Sequence, residues 1–404
     1  MSETSSRERL LTALRHQEPD RVPINVHVQP PGDGLFYGPG YPAWRNKFDA
    51  LETLVELDTD PTVDIWLPEP VVHADVSIRD GRYRTADGGS VLFKEYDTPK
   101  GTLRMEVNET EDWRGYEHRH WQPQPWGRDR REHWYLTLFD DWNTSRLVRP
   151  LVSSIDDLEK LTYLLNAPSG FDLQEWQDYA AFCKRFAQQH GLLLRARRSF
   201  AGDAALWLCD TSDFLMKSVE EPDFCREFLR IVQEWSLKTL ELGLEVGVDM
   251  ADRRGWYEVP AIFGVDAWQR LLAPLIDEAG RMVHEAGVLH CYMHTEGNLD
   301  LAQQLNAAEI DVIWGMDPSM GDDDPVLSKE AFRDRIAVMG GISDCLVLQK
   351  ASPKKIREEV ARIISIMAPG GGFVLMPVHS VAPQTPWEAF RAFIDAGREF
   401  GKYH

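Results

Sequence analysis

Near the three-quarter point of the chain, Leu289-His290-Cys291-Tyr292-Met293-His294-Thr295-Glu296-Gly297-Asn298 carries an apolar run into two metal-capable side chains and leaves through Gly-Asn. The apolar lead-in predicts a buried strand, and the Gly-Asn predicts the turn that leaves it. His294 and Glu296 then sit where a parallel strand stops and a loop begins. In α/β barrels and open α/β sheets that is where chemistry is done. As a motif His-x-Glu is weak. Its weight comes from its place and from a second histidine, His379, behind the apolar run Phe373 to Pro377.

Other strand ends extend the shortlist. His27 and Gln29 follow the run Arg21 to Val28, and Asp249, Asp252, Arg253, Arg254 and Trp256 surround a run at Val248 to Ala251. Asp317 follows Trp314-Gly315-Met316, and Asp344 and Cys345 follow Gly340 to Ser343. Asp252 and Asp317 are expected to lie in the same mouth and touch substrate or a zinc-bound water. His27, Gln29, Arg254 and Trp256 are expected to bind substrate. Each position also has a plain structural reading. A barrel histidine is often a hydrogen-bonded core residue, Glu296 can serve a helix N-terminus, and Asp249 and Asp317 can be N-caps. Cys291 and Cys345 suit small core positions, and Arg253 and Arg254 can form a solvated pair or bind an anionic group.

The elements that must position these residues follow a regular plan. Ser5 and Glu8 have capping-box spacing ahead of a first helix with Leu10, Leu11 and Leu14 on one face. Arg21 to Val28 reads as a first strand. From Ser154 onward helical stretches alternate with short apolar runs at Gly191–Leu194, Val248–Ala251, Gly287–Met293, Ile310–Trp314, Ile336–Gly340 and Phe373–Met376. Repeated β-then-α units imply a parallel sheet, and seven or eight of them favour a single closed (β/α)8 TIM-type barrel spanning 1–404. Gly287 is placed to end the helix that presents Trp268, Leu271, Leu272, Leu275, Ile276, Ala279, Met282 and Val283 at helical period. Between about 76 and 149 the pattern differs. Asp80-Gly81, Asp87-Gly88-Gly89 and Lys100-Gly101 separate alternating apolar residues and predict an antiparallel insertion. It runs into a stretch rich in tryptophan (Trp113, Trp121, Trp126, Trp134, Trp142), read as packing for the insertion rather than a ligand cage.

Composition narrows the function. With 44 Lys and Arg against 65 Asp and Glu the formal charge is −21, which opposes nucleic-acid binding and docking on anionic membranes. No apolar run approaches the ~18 residues of a membrane span. The N-terminus lacks the order of a signal peptide, and five scattered cysteines suit a reducing cytoplasm.

Arg7-Glu8-Arg9-Leu10-Leu11-Thr12-Ala13-Leu14 leading into Pro19-Asp20-Arg21-Val22-Pro23 resembles the opening of the uroporphyrinogen decarboxylase superfamily, closest to its branch of corrinoid-linked methyltransferases and O-demethylases. The C-terminal blocks agree: Gly340-Gly341-Ile342, Ser352-Pro353, Gly370-Gly371-Gly372-Phe373-Val374-Leu375, His379 and Pro383-Gln384-Thr385-Pro386. The insertion is only loosely covered. Decarboxylases of this family carry Arg-Gln-Ala-Gly-Arg-Tyr after the first strand, whose arginines hold substrate carboxylates. Here the place reads Asn25-Val26-His27-Val28-Gln29-Pro30-Pro31-Gly32, without an arginine.

The methyltransferase branch binds zinc through His-x-Cys and a later Cys. The resemblance sets His294, Glu296 and His379 at the matching positions, with no thiolates. Two His and a carboxylate with an open fourth position are a known catalytic zinc set, and a harder set favours an oxygen ligand and Lewis-acid action. The function so implied is methyl transfer from a small methoxylated, aromatic compound to a corrinoid protein, with zinc on the ether oxygen. The chain has no Asp-x-His-x-x-Gly corrinoid motif, so the corrinoid (cobalamin) comes on a partner. A homodimer is compatible with the sequence. The alternatives are a metal-free decarboxylase or other lyase using Asp252 and His379, and a barrel kept as a binding or scaffold subunit.

Overall fold

The structure, a computed structural model, describes residues 4–28, 37–110, 138–139, 144–321, 323–378 and 380–403. Strand β1 (Thr62–Trp66) is followed by an excursion of four antiparallel strands, β2 (Ser77–Arg84), β3 (Ser90–Thr98), β4 (Gly101–Glu109) and β5 (Leu147–Arg149). The chain then returns to β6 (Leu193–Ser199), β7 (Met250–Arg254), β8 (Leu289–Met293), β9 (Val312–Met316), β10 (Ala337–Ser343) and β11 (Phe373–Val378). These pair in parallel in the order β1-β6-β7-β8-β9-β10-β11.

The stretch 21–28 closes the sheet into a barrel. Ile24 bridges Leu375 of β11 in parallel, and Asn25 N–H donates to the Leu375 carbonyl at 2.9 Å. On its other side Asp60 N–H, just before β1, donates to the Ile24 carbonyl at 2.7 Å. Eight staves in chain order make the expected (β/α)8 architecture. Asp60 fixes the seam: its buried carboxylate accepts from Arg9 Nη1 (2.6 Å), Arg21 Nη1 (2.9 Å) and Ile24 N–H (2.9 Å).

The predicted capping box of the first helix is present, with Ser5 and Glu8 bonded reciprocally at 2.8–3.2 Å. That helix (Ser6–Leu14) closes the bottom of the barrel. Leu10, Ala13 and Leu14 join Leu193, Met250, Val312, Ala337 and Val374 in one buried cluster. Asp249 belongs to this bottom end, where it receives Arg7 Nη2 at 2.6 Å and Leu194 N–H at 3.0 Å. The sequence reading grouped it with the strand ends of the mouth, but it precedes β7 rather than following it.

In the insertion the turn Thr85–Gly89 joins β2 to β3, and the Pro99-Lys100 turn joins β3 to β4. Asp80-Gly81 is not a turn. It lies inside β2, where the Phe93 ring of β3 covers Gly81. The tryptophan-rich stretch lies outside the described residues. Leu103, Met105 and Val107 of β4 are buried against the barrel's helical layer, and Phe139 joins Phe200, Trp207 and Trp235 at ring distances of 5.1–6.1 Å. Among the described residues no helix is long and apolar enough to cross a membrane.

Candidate active site

Strand alternation sends every second side chain into the barrel, and here the interior divides into two unlike halves. Asp64 of β1, Arg195 and Arg197 of β6 and Asp252 of β7 are charged and buried. Facing them, Cys291 and Met293 of β8, Trp314 of β9, Met339 of β10 and Met376 of β11 form a soft apolar wall.

The charged half is tightly bonded. Arg195 Nε and Nη2 grip both Asp64 oxygens at 2.9 and 3.0 Å, a bidentate fork. One pleat higher, Arg197 Nη1 donates to Asp64 Oδ2 at 3.0 Å and Nε donates to Asp252 Oδ2 at 3.0 Å. Its Nη2 reaches Met293 Sδ at 3.5 Å, a weak acceptor. The guanidinium carbon lies 5.2 Å from the Trp66 ring and 5.7 Å from that of Trp314, within cation–π range. Burial alone would raise the Asp64 carboxyl. The Arg195 and Arg197 charges outweigh it and hold the group well below the usual carboxylate range.

His27, on the closing stave, completes this group. Its Nε2 lies 2.9 Å from Arg197 Nη1, and its Nδ1 lies 2.6 Å from Ser380 Oγ in the loop after β11. Burial pushes His27 down to about 4; Asp64 opposes this and the Arg197 charge reinforces it. The ring is therefore neutral at pH 7.

A second stack adjoins the first. Arg254, the last residue of β7, pairs with buried Asp203, which also accepts the Trp256 and Tyr257 N–H groups at 3.2 and 2.8 Å. The Arg254 guanidinium lies 4.6 Å from the Trp207 ring and 4.3 Å from the Trp256 ring. Trp256 in turn runs parallel to Trp314, 6.4 Å away at 14°. Asp317, at the end of β9, is buried, and its Oδ1 accepts Ser319 N–H at 2.8 Å. That bond is a local turn rather than the helix cap the plain reading offered. Of the expected substrate and catalytic residues, the structure brings His27 and Asp252 onto Arg197. Arg254, Trp256 and Asp317 lie at neighbouring strand ends. Gln29 lies outside the described residues.

The expected zinc ligands stand differently. Cys291 and Met293 point into the barrel, so Tyr292 and His294 face its helical layer, and their rings stack at 5.1 Å and 19°. There His294 Nδ1 meets Asn298 Oδ1 at 2.9 Å, and Nε2 faces the Glu258 carbonyl at 3.3 Å. A zinc ion at ~2.0–2.1 Å from Nε2 would take that carbonyl's space. Glu296 is half-buried on the loop beyond, and His379 lies outside the described residues. Among the described residues no three metal-capable side chains converge. His294 as placed does not fit a zinc ligand.

A sequence profile of the uroporphyrinogen decarboxylase (URO-D) family matches residues 203–400, from Asp203 through the last helix. The C-terminal half of the chain thus resembles the uroporphyrinogen decarboxylase superfamily. A curated uroporphyrinogen decarboxylase from Alkalilimnicola ehrlichii is 36% identical over 78 residues, which is 19% of this chain and 21% of that protein. The aligned part thus spans about a fifth of that relative's length. In three dimensions the chain is similar to a methyltransferase from Methanosarcina mazei, with a TM-score of 0.58 and 16% identity over 98% of this chain and 99% of that one. At that identity the likeness establishes the shared fold.

Sequence reasoning did not find Asp64, Arg195, Arg197 or Asp203. Alternating charges inside Leu193–Ser199 look like a solvated strand face. The signal that would have found them is complementarity: an acid in β1 opposite Arg195 and another in β7 beside Arg197.

Proposed function

We propose that this chain is a methyltransferase of the URO-D superfamily that moves a methyl group from a small, uncharged methoxylated compound, an aryl methyl ether in its simplest form, to a corrinoid on a partner protein. The observation that carries this reading is charge balance. Each buried arginine beside the mouth already meets a carboxylate: Arg195 with Asp64, Arg197 with Asp252, Arg253 with Glu258 and Arg254 with Asp203. A polycarboxylate substrate needs cations in excess, and the described residues do not supply them. The part-exposed Trp66 and Trp256 rings, backed by the buried Trp314 and Met293, suit a neutral ring. The fold shared with the Methanosarcina methyltransferase supports the same reading.

A cobalt(I) corrinoid, when docked, supplies the nucleophile that accepts the methyl group. The methyl C–O bond breaks with its electron pair left on oxygen, and the phenolate so formed takes a proton from solvent. The protein's task is to hold the ring, exclude water and offset charge growing on that oxygen. Arg197 is fixed for this by Asp64, Asp252 and two indoles. It needs no reorganisation as charge develops, the condition under which a preorganised donor contributes most. Asp252 orients Arg197, and Trp256 with Arg254 sets the side wall. A corrinoid partner and a cytoplasmic setting belong to the same reading.

The test is to mix the purified chain, a cobalt(I) corrinoid protein and a panel of methoxyarenes, then follow corrinoid methylation by absorbance. Methylation that requires the chain supports the proposal. Carbon dioxide release from a carboxylated compound, with no methylation from any ether, would establish the decarboxylase reading instead.

A further inference from the structure

Arg197 dictates the state of His27, and His27 dictates the state of Ser380. A guanidinium has only donors. Its Nη1 carries two hydrogens; one points to Asp64 Oδ2 at 3.0 Å, and the other meets His27 Nε2 at 2.9 Å. His27 Nε2 also lies 3.5 Å from Asp64 Oδ2, which in isolation would favour a hydrogen on that nitrogen. The shorter contact decides, because an N–H there would point its hydrogen at another donor. Nε2 is therefore the bare nitrogen, and the neutral ring carries its hydrogen on Nδ1. That hydrogen goes to Ser380 Oγ at 2.6 Å. With a lone pair so engaged, the serine hydroxyl is left to donate. Ser380 is half-exposed in the loop after β11, at the C-terminal end of the barrel. No acceptor among the described residues takes its hydrogen.

We propose that the Arg197–His27–Ser380 chain holds the Ser380 hydroxyl as a preset hydrogen-bond donor at the barrel mouth, addressed to the substrate oxygen that gains negative charge. Ser380 is then a further catalytic residue, and His27 a positioning residue that acts through it. This rests on the methyl-transfer reading for the identity of that oxygen, but not for the direction of the chain. Ser380 Oγ–H shares the developing charge and keeps its own proton. The departing phenolate is protonated by solvent, so no base needs regenerating. Hydrogen-bonded chains of this kind polarise one another, so the donor at the end is stronger than an isolated hydroxyl.

Two measurements test the proposal. Histidine-selective ¹⁵N labelling reads the His27 tautomer, with the signal assigned by its loss in His27→Asn. The expected result at pH 7 is a neutral ring protonated on Nδ1. A ring protonated on Nε2, or an imidazolium, would overturn the chain. In the methyl-transfer assay Ser380→Ala should lower kcat on the order of 100-fold while KM moves by less than about threefold. Ser380→Thr, which keeps the hydroxyl, should recover most of the rate. Full activity in Ser380→Ala would overturn the catalytic role. If the unaltered protein methylates no corrinoid from any ether, the functional reading has failed, and the tautomer still decides the chain.

Discussion

Arg197 Nε lies 3.0 Å from Asp252 Oδ2, and neither residue is more than 5% exposed. The pair joins β6 to β7 where the barrel opens. Breaking a buried pair by removing one partner strands the other charge, at a cost of about 3–5 kcal/mol. Asp252→Asn is therefore expected to lower both turnover and stability, the latter by about 3 kcal/mol in chemical denaturation. The double variant Arg197→Met/Asp252→Leu should regain much of the stability and none of the activity, because the pair's coupling is non-additive. An Asp252→Asn protein as stable as the original would show that the pair does not hold the network together.

His290 gives the fold an acid-sensitive element. Burial pushes it down to about 4, against the Glu309 carbonyl that its Nδ1 meets at 2.5 Å. In the unfolded chain an imidazole titrates near ~6.5. Above that value neither state binds the proton, and the neutral ring costs nothing. As pH falls from ~6.5 towards 4 the unfolded chain takes up a proton that the native state refuses, so stability declines. The loss is about 3 kcal/mol at full development. Calorimetry between pH 7 and 4 should show His290→Gln with a shallower decline than the original chain. Parallel slopes would assign the acid sensitivity elsewhere.

Gly280 separates propensity from packing. It sits in the helix Ala273–Glu285, where alanine would be favoured by about 1 kcal/mol on propensity alone. A Cβ there would stand 2.1 Å from the Glu309 carbonyl oxygen, a backbone atom that cannot swing away. Gly280→Ala should thus destabilise by about 2 kcal/mol or more, in the range of overpacked core changes. A rise in melting temperature would mean that the helix and the 309 loop move apart readily.

The barrel was legible because its staves are apolar and its helices amphipathic, two periodicities that a sequence shows directly. The stave that escaped was β1. Asp60 and Asp64 break its apolar run, and both acids matter through partners distant in sequence: Arg9 and Arg21 for the first, Arg195 and Arg197 for the second. The same reason hid Arg197. A charged residue reads as solvated until its counter-charge is known, and that is a tertiary fact. Strand direction was legible at His294, but strand face was not. The flanking Cys291 and Met293 are as apolar as Tyr292 beside them, so the run is apolar on both faces and alternation carries no signal. Only the packed structure shows which parity looks inward.

His294 is accordingly expected to behave as a structural residue. Its stack on Tyr292 and its bond to Asn298, itself bonded to buried Asp323, tie the β8 loop to the segment that follows β9. Burial lowers His294, so the ring there is neutral and acts through hydrogen bonds rather than charge. A neutral ring has one N–H, so His294→Ala removes one hydrogen bond, to Asn298 Oδ1 or to the Glu258 carbonyl, and leaves that buried oxygen without its donor. The expected loss is about 1–3 kcal/mol in denaturation. Elemental analysis of the same protein should find its metal content equal to that of the unaltered chain. The strand-face argument gives way if metal is bound stoichiometrically by the original chain and vanishes in His294→Ala while the variant's circular dichroism stays native. The carbonyl of Glu258 would then have to move aside to let the ring nitrogen reach the ion.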